Sequence, residues 1–310
     1  MIKRFVERFT GASLVGVDVG SAFVKVVEIG FYKGEPVLRR AVVREAEGGE
    51  PVLSLKRAME EGDFKTNQVA LGLASPELVV RSFRFPRMPK KEMAGALRIE
   101  AEQTILNGHP MSGMAVDWHE LGPASGDSVR GLLAVAPKKL FSAELETVKA
   151  AGLVPTVMDA KTLALWNAYW VLVGSKAPQP ETILLINLGA RTTNLVIVKG
   201  PDELMLARDI ELGAVSPPPA TPELWISELR DSVRYARSKG GLRTLDGVCV
   251  TGGGTASWET KKRLESEFGA PVTEWNALDR IAWDSKQTRL EKSLGRLLAV
   301  AVGLAMRSSG

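Results

Sequence analysis

Apolar residues along this chain fall first in short, Val-rich runs and only later at helical spacing. "LVGVDVG" (14–20), "FVKVVEIG" (23–30) and "PVLRRAVVREA" (36–46) read as strands, with a Gly-bearing bend after the first and Gly34 after the second, which predicts an antiparallel meander. "PVLSLKRAMEEG" (51–62) spaces its apolar residues on one helical face and ends on Gly62, and "NQVALGLA" (67–74) returns to a buried strand. Near Ser75 a different unit begins. It holds strand "LVVRSFRFPRMP", amphipathic helix "KKEMAGALRIEAEQTIL", strand "MAVDWHELG" and a strand running into a helix that Gly152 ends, so a small α+β module is predicted over about 76–154. "PTVMDAKTLALWNAYWVLVG" then gives a strand and an apolar helix, with Trp166 and Trp170 on one face for core filling and Asp159 as candidate N-cap.

"ETILLINLGARTTNLVIVKG" (181–200) repeats the opening pattern of strand, Gly turn, hydroxyls and strand, which predicts a duplicated fold of two lobes, 13–180 and 181–310. The proline-rich "AVSPPPATPE" must be loop. A helix follows, then "DGVCVTGGGTASWETKKRLESEFG" as strand, Gly-rich loop and helix, and an apolar helix closes the chain. At the start, Ile2, Phe5, Val6 and Phe9 share a face of an amphipathic segment over 1–12, suited to a membrane, to a partner or to packing on its own domain.

Composition supports two lobes: 310 residues with 45% hydrophobic content can bury more core than one small domain. The single cysteine, Cys249, excludes a disulfide framework and a cysteine-built metal cluster, and only His109 and His119 offer imidazole, which fits a reducing cytoplasm. No apolar run reaches the roughly 18 residues of a membrane span, and no signal peptide is evident. The formal charge of +4 is scattered rather than massed, which argues against nucleic acid and fits an anionic membrane surface better.

The candidate chemistry sits at the two bends. If they face each other they form a phosphate clamp: Gly turns bring backbone N–H groups close to an anion, Ser21, Thr192 and Thr193 offer hydroxyls, and Asp18 can hold a metal through water. The Gly triplet Gly252, Gly253 and Gly254 before a helix suits a phosphate or nucleoside edge. Singly, each is also an ordinary turn or connector; the repetition carries the reading. Neither Walker A nor G-x-G-x-x-G spacing occurs.

"GVDVGSAFVKVVEI", "NLGARTTNLVIVKG" and "GVCVTGGGTASWETKKRLESEFGAPV" resemble the two phosphate loops and the adenosine loop of actin-like ATPases. "FRFPRMPKKEMAGALRIEAEQTI", "DWHELG" and "LLAVAPKKLFSAELETVKAAGLVPTVMDAKTLAL" resemble the PilM family of type IV pilus assembly proteins. The resemblance implies an actin-like, ribonuclease H-like α/β fold of two lobes around a nucleotide cleft, the first lobe carrying the inserted module. It implies ATP with Mg²⁺ at Asp18, Gly20, Ser21 and Lys25 in the first loop, at Asn187, Gly189, Thr192 and Thr193 in the second, and at Gly252, Gly253 and Gly254 on the adenosine side. It further implies a cytoplasmic adaptor, peripheral to the inner membrane, that holds the tail of a PilN-like membrane protein and links it to pilus motor ATPases.

Two departures change that picture. Asn187 stands where the superfamily has an Asp, and an amide is neither a base nor a charge for hydrated Mg²⁺, so turnover is expected to be slow or absent and no catalytic residue is assigned. The helical subdomain that covers base and ribose is missing or very reduced, since only "AVSPPPATP" (214–222) is present. A nucleotide-free platform, similar to the cytoplasmic domain of GspL in type II secretion, is therefore a second reading, and a sugar-kinase enzyme a weaker third. For the partner tail, Phe83, Phe85 and Met88 are candidate contacts, and the same three residues also fit core packing.

Overall fold

The computed structural model of the chain describes residues 14–46, 50–104, 110–123, 126–176, 181–215, 221–256, 258–283 and 290–307. The predicted amphipathic segment 1–12, His109 and residues 216–220 lie outside these.

The opening meander forms as its pattern dictates: β1 (Val15–Val19), β2 (Phe23–Tyr32) and β3 (Glu35–Glu45) pair antiparallel. After α1 (Pro51–Glu61), β4 (Gln68–Leu73) lies parallel to β1, and β8 (Val154–Ala160) parallel to β4. The second lobe repeats this arrangement. β9 (Thr182–Leu188), β10 (Thr193–Lys199) and β11 (Glu203–Ile210) form the meander, with β12 (Gly247–Thr251) parallel to β9 and β13 (Val272–Glu274) parallel to β12. The orders β3-β2-β1-β4-β8 and β11-β10-β9-β12-β13 are therefore equivalent, which is the duplicated two-lobe fold expected from the sequence.

Two features were not legible in the pattern. The module's strands, β5 (Val79–Pro86), β6 (Met114–Pro123) and β7 (Ser128–Pro137), do not form a sheet of their own. β5 bridges β11 at Val80 and Ala207, so they extend the second lobe's sheet to the order β13-β12-β9-β10-β11-β5-β7-β6. Conversely, two pieces of 181–310 belong with the first sheet: β14 (Ala282–Trp283) pairs with β3, and α7 (Ala299–Ala305) packs on β1.

Alternation along the strands sorts the cores. In β9, Ile183 and Leu185 join the main core between the sheets, around α4 (Lys161–Leu172) and α7, whereas Leu184 and Ile186 face α5 (Pro222–Lys239) and α6 (Trp258–Phe268). α1 and α3 (Lys138–Ala150) cover the outer face of the first sheet, and α2 (Lys90–Thr104) closes a separate core over the module's strands. Trp166 of α4 fills the central core as its spacing predicts, together with Tyr169, whereas Trp170, expected beside it, is only half-buried against that core.

α7 enters this layer only because glycines leave room. A Cβ on Gly303 would stand 1.9 Å from the Ala164 carbonyl oxygen of α4, and one on Gly16 2.1 Å from that of Ala301. Gly303→Ala is expected to lower unfolding stability by ~3 kcal/mol in urea titration, since backbone must move. Gly95→Ala, on the exposed side of α2 with nothing within 4 Å of the new Cβ, is expected to raise it by up to ~1 kcal/mol.

Candidate functional site

The bend between β1 and β2 holds a buried ion cluster. Asp18 stands opposite Lys25 in the strand register, and Lys25 Nζ donates to Asp18 Oδ2 at 2.9 Å. The other oxygen, Oδ1, lies 2.6 Å from Nζ of Lys161, the first residue of α4, and that ammonium also donates to the Val19 carbonyl at 2.8 Å. Asp18 is only 3% exposed. Burial works against its charge, but Lys161 and Lys25 outweigh it and hold the carboxyl well below the usual carboxylate range. Burial likewise opposes the charge on Lys161, and Asp18 reverses that, so its ammonium is held more firmly than usual. On α3, burial raises Glu144 while Lys161 opposes the rise.

The β9–β10 hairpin repeats the first position for position. Asn187 pairs in register with Asn194 as Asp18 does with Lys25. The Gly189 N–H donates to the Thr192 carbonyl at 3.0 Å as the Gly20 N–H does to that of Phe23 at 3.0 Å. Amides replace the ion pair. Asn187 Nδ2 donates to Asn194 Oδ1 at 2.7 Å, Asn194 Nδ2 to Asp209 Oδ1 at 2.6 Å, and the Ser75 N–H to Asp209 Oδ2 at 2.9 Å. Ser75 follows β4, so this string ties one lobe to the other. Burial pushes Asp209 up to about 6, against its bonds from Asn194 and Ser75 and the field of Lys161. The field of Lys161, which starts from the first bend, thus reaches the carboxylate that closes the second bend's string.

Other residues assigned from the sequence divide. Ser21 is exposed at its bend and Thr192 half-buried at the other. Thr193 does not reach the gap: it is fully buried, its hydroxyl donating to the Leu212 carbonyl at 2.7 Å and accepting from Trp225 Nε1 at 2.9 Å. β-Strand alternation turns it away from its neighbour Thr192. Gly252 has φ +99°, and a Cβ there would meet the Leu188 carbonyl oxygen at 2.4 Å, so the Gly-rich loop packs directly on the second hairpin. Gly254 rests against Leu188 and Ala214, and Gly253 is exposed.

These residues suit an anion better than a divalent cation. Both Asp18 oxygens already face ammonium groups, and the Asn187 amide is neutral and bonded to Asn194. Among the described residues no group of three or more His, Cys, Asp or Glu side chains could hold a metal ion.

A second concavity lies on the other flank of α4. It is a cavity of about 680 Å³ between the module and the first lobe, walled by Ala115 and Asp117 of β6, Leu132 and Ala134 of β7, and Leu163 and Trp170 of α4. β6 is the last strand of its sheet, so its outer edge has no strand partner among the described residues. At one end Arg307 Nε donates to Asp159 Oδ2 at 2.6 Å. Asp159 is thus not the helix cap expected: the N-cap of α4 is Ala160, without a side-chain bond.

The sequence matches the family of type IV pilus assembly protein PilM over residues 16–216. The chain belongs to that family. A solved PilM–PilN type IV pilus biogenesis complex is 24% identical, with 96% of this chain and 98% of that chain covered and a TM-score of 0.80. A protein of actin-like ATPase fold and unknown function from Bacteroides thetaiotaomicron is 10% identical over 94% of this chain and 96% of its own, with a TM-score of 0.50. Both likenesses show the actin-like fold. Among curated proteins none matches.

For a PilM family chain, sequence reasoning missed Lys161, Asp209 and the cavity. Asp209 carried a legible signal, an acidic residue inside the apolar run "LARDI"; Lys161 did not, because a Lys beginning a helix usually faces solvent. Phe83, Phe85 and Met88 lie away from the cavity. Phe83 is buried, stacks on Phe85 with ring centroids 5.5 Å apart, and shares a core with α2 against which the half-buried Phe85 and Met88 pack.

Asp209 makes stability pH-dependent. Its folded pKa is raised, so its contribution is fully present below the ordinary 3.8 and is lost as pH rises through about 6. Asp209→Asn, which does not titrate, should therefore gain on the wild type in urea titrations as pH rises from about 4 to about 7. A difference that stays constant across that window would refute the assignment.

Proposed function

We propose that this chain is a pilus-assembly scaffold whose apolar cavity grips the N-terminal cytoplasmic tail of a PilN-like inner-membrane protein. The observation that carries this is the concavity between β6–β7 and α4, which offers a terminal strand with no strand beyond it among the described residues, for main-chain bonding, and small side chains, Ala115 and Ala134, that leave room for a partner's apolar residues. Family membership and the likeness to a PilM–PilN complex support the choice of partner. Attachment to the inner membrane would then come through the partner, with the chain itself on the cytoplasmic side; no helix among the described residues is long and apolar enough to cross a membrane. Contact with motor ATPases belongs to the same adaptor role.

The gap between the bends is read as a nucleotide site, with ATP as ligand and turnover slow or absent. Its support is the pair of equivalent Gly turns and two ammonium groups beside one carboxylate, a local excess of positive charge suited to phosphate. A nucleotide-free platform is the second reading, favoured by the way the Asp18 charge is already paired with two ammonium groups and Asn187 is bonded to Asn194 within the chain. Calorimetry with ATP separates the two.

Ala134→Arg, which puts a charge in the cavity wall, should weaken binding of a synthetic PilN-like tail peptide by ~10-fold or more in fluorescence anisotropy. Ile99→Ser, at a 59% exposed site on α2, should leave it unchanged. Equal affinity for the wild type and Ala134→Arg would exclude the cavity as the binding site.

A further inference from the structure

Lys161 is out of place for a helix-starting lysine. Its side chain is 12% exposed, and its ammonium is fixed between Asp18 Oδ1 at 2.6 Å and the Val19 carbonyl at 2.8 Å. Mg²⁺ dehydrates reluctantly and keeps several waters, so a hydrated ion held by Asp18 needs a carboxylate oxygen with space in front of it. Here that space holds Nζ, and Lys25 takes the other oxygen at 2.9 Å. A divalent ion would also sit beside two ammonium charges, with a neutral amide at Asn187 in place of a second carboxylate. An ammonium has three donors. Lys161 donates one to Val19 and holds Asp18 Oδ1 by charge at 2.6 Å, and Lys25 spends only one on Asp18, which leaves donors for a phosphate oxygen.

We propose, resting on the nucleotide reading of the cleft, that Lys161 is its resident cation: the tethered ammonium takes the position a hydrated divalent ion would take on Asp18, and polyphosphate is bound without metal. Lys161 is thus a specificity-determining residue that sets metal independence and, with Asn187, removes both groups by which Mg²⁺ would be held.

Calorimetry of the full chain with ATP, once in Mg²⁺ and once in EDTA, should give affinities within about twofold of each other, whereas Lys161→Gln should make binding at least ~10-fold weaker in EDTA than in Mg²⁺. A wild type that loses ~10-fold in EDTA, or a Lys161→Gln variant that shows no metal dependence, overturns the proposal. Manganese paramagnetic resonance on nucleotide-free protein supplies a second arm. Wild type should hold no Mn²⁺ that Asp18→Asn releases, and finding such an ion overturns the proposal by itself. If ATP binds in neither buffer, the nucleotide reading fails and the manganese arm decides whether Lys161 excludes a metal. Thermal melts confirm that each variant is folded, and Lys161→Met replaces Lys161→Gln if that one is not.

Discussion

A single buried carboxylate organises this molecule. Asp18 lies at the end of a central strand, where an unpaired charge would cost several kcal/mol, and it is kept ionised by Lys25 from its own hairpin and Lys161 from a helix that begins over a hundred residues later. The pairing pins the start of α4 to the tip of β1. From there the helix runs between the two sheets: Trp166 Nε1 donates to the Gly200 carbonyl of the second lobe, and Asn167 Nδ2 to the Gly303 carbonyl of α7. Its flank, through Leu163 and Trp170, forms one wall of the cavity beside the module. One helix therefore carries the cleft at its first residue and the cavity along its side.

The duplication shows how the same scaffold can hold different chemistry. At equivalent places in two equivalent hairpins, the first lobe has the ion pair Asp18–Lys25 and the second the amide pair Asn187–Asn194. The amides pass their bonds on to Asp209 and so to Ser75 of the opposite lobe, which makes the second bend a tether between lobes. The same scaffold thus presents ammonium groups around a carboxylate at one bend and neutral amides at the other.

Much of this was legible in the sequence because strand alternation and Gly-bearing bends are local signals. The repeated pattern of "LVGVDVGSAFVKVVEI" and "ETILLINLGARTTNLVIVKG" gave the two lobes, and the family resemblance led to the actin-like fold. What stayed hidden depends on tertiary placement. Nothing local says that β5 will bridge β11, that α7 will return to β1 through Gly16 and Gly303, or that Lys161 will point inward. Thr193 looked like a phosphate donor because hydroxyls follow a Gly turn, but strand alternation gives it to Trp225 instead. The aromatic run at Phe83 and Phe85 suited a core better than a partner, and the placement of α2 supplies that core.

Hydrogen exchange of the full chain with and without a synthetic PilN-like tail peptide tests the central claim most directly. The account predicts slowed exchange on β6, β7 and α4, the walls of the cavity, with the outer face of α2 unaffected. Protection confined to α2 and β5, with β6 and α4 unchanged, would contradict it.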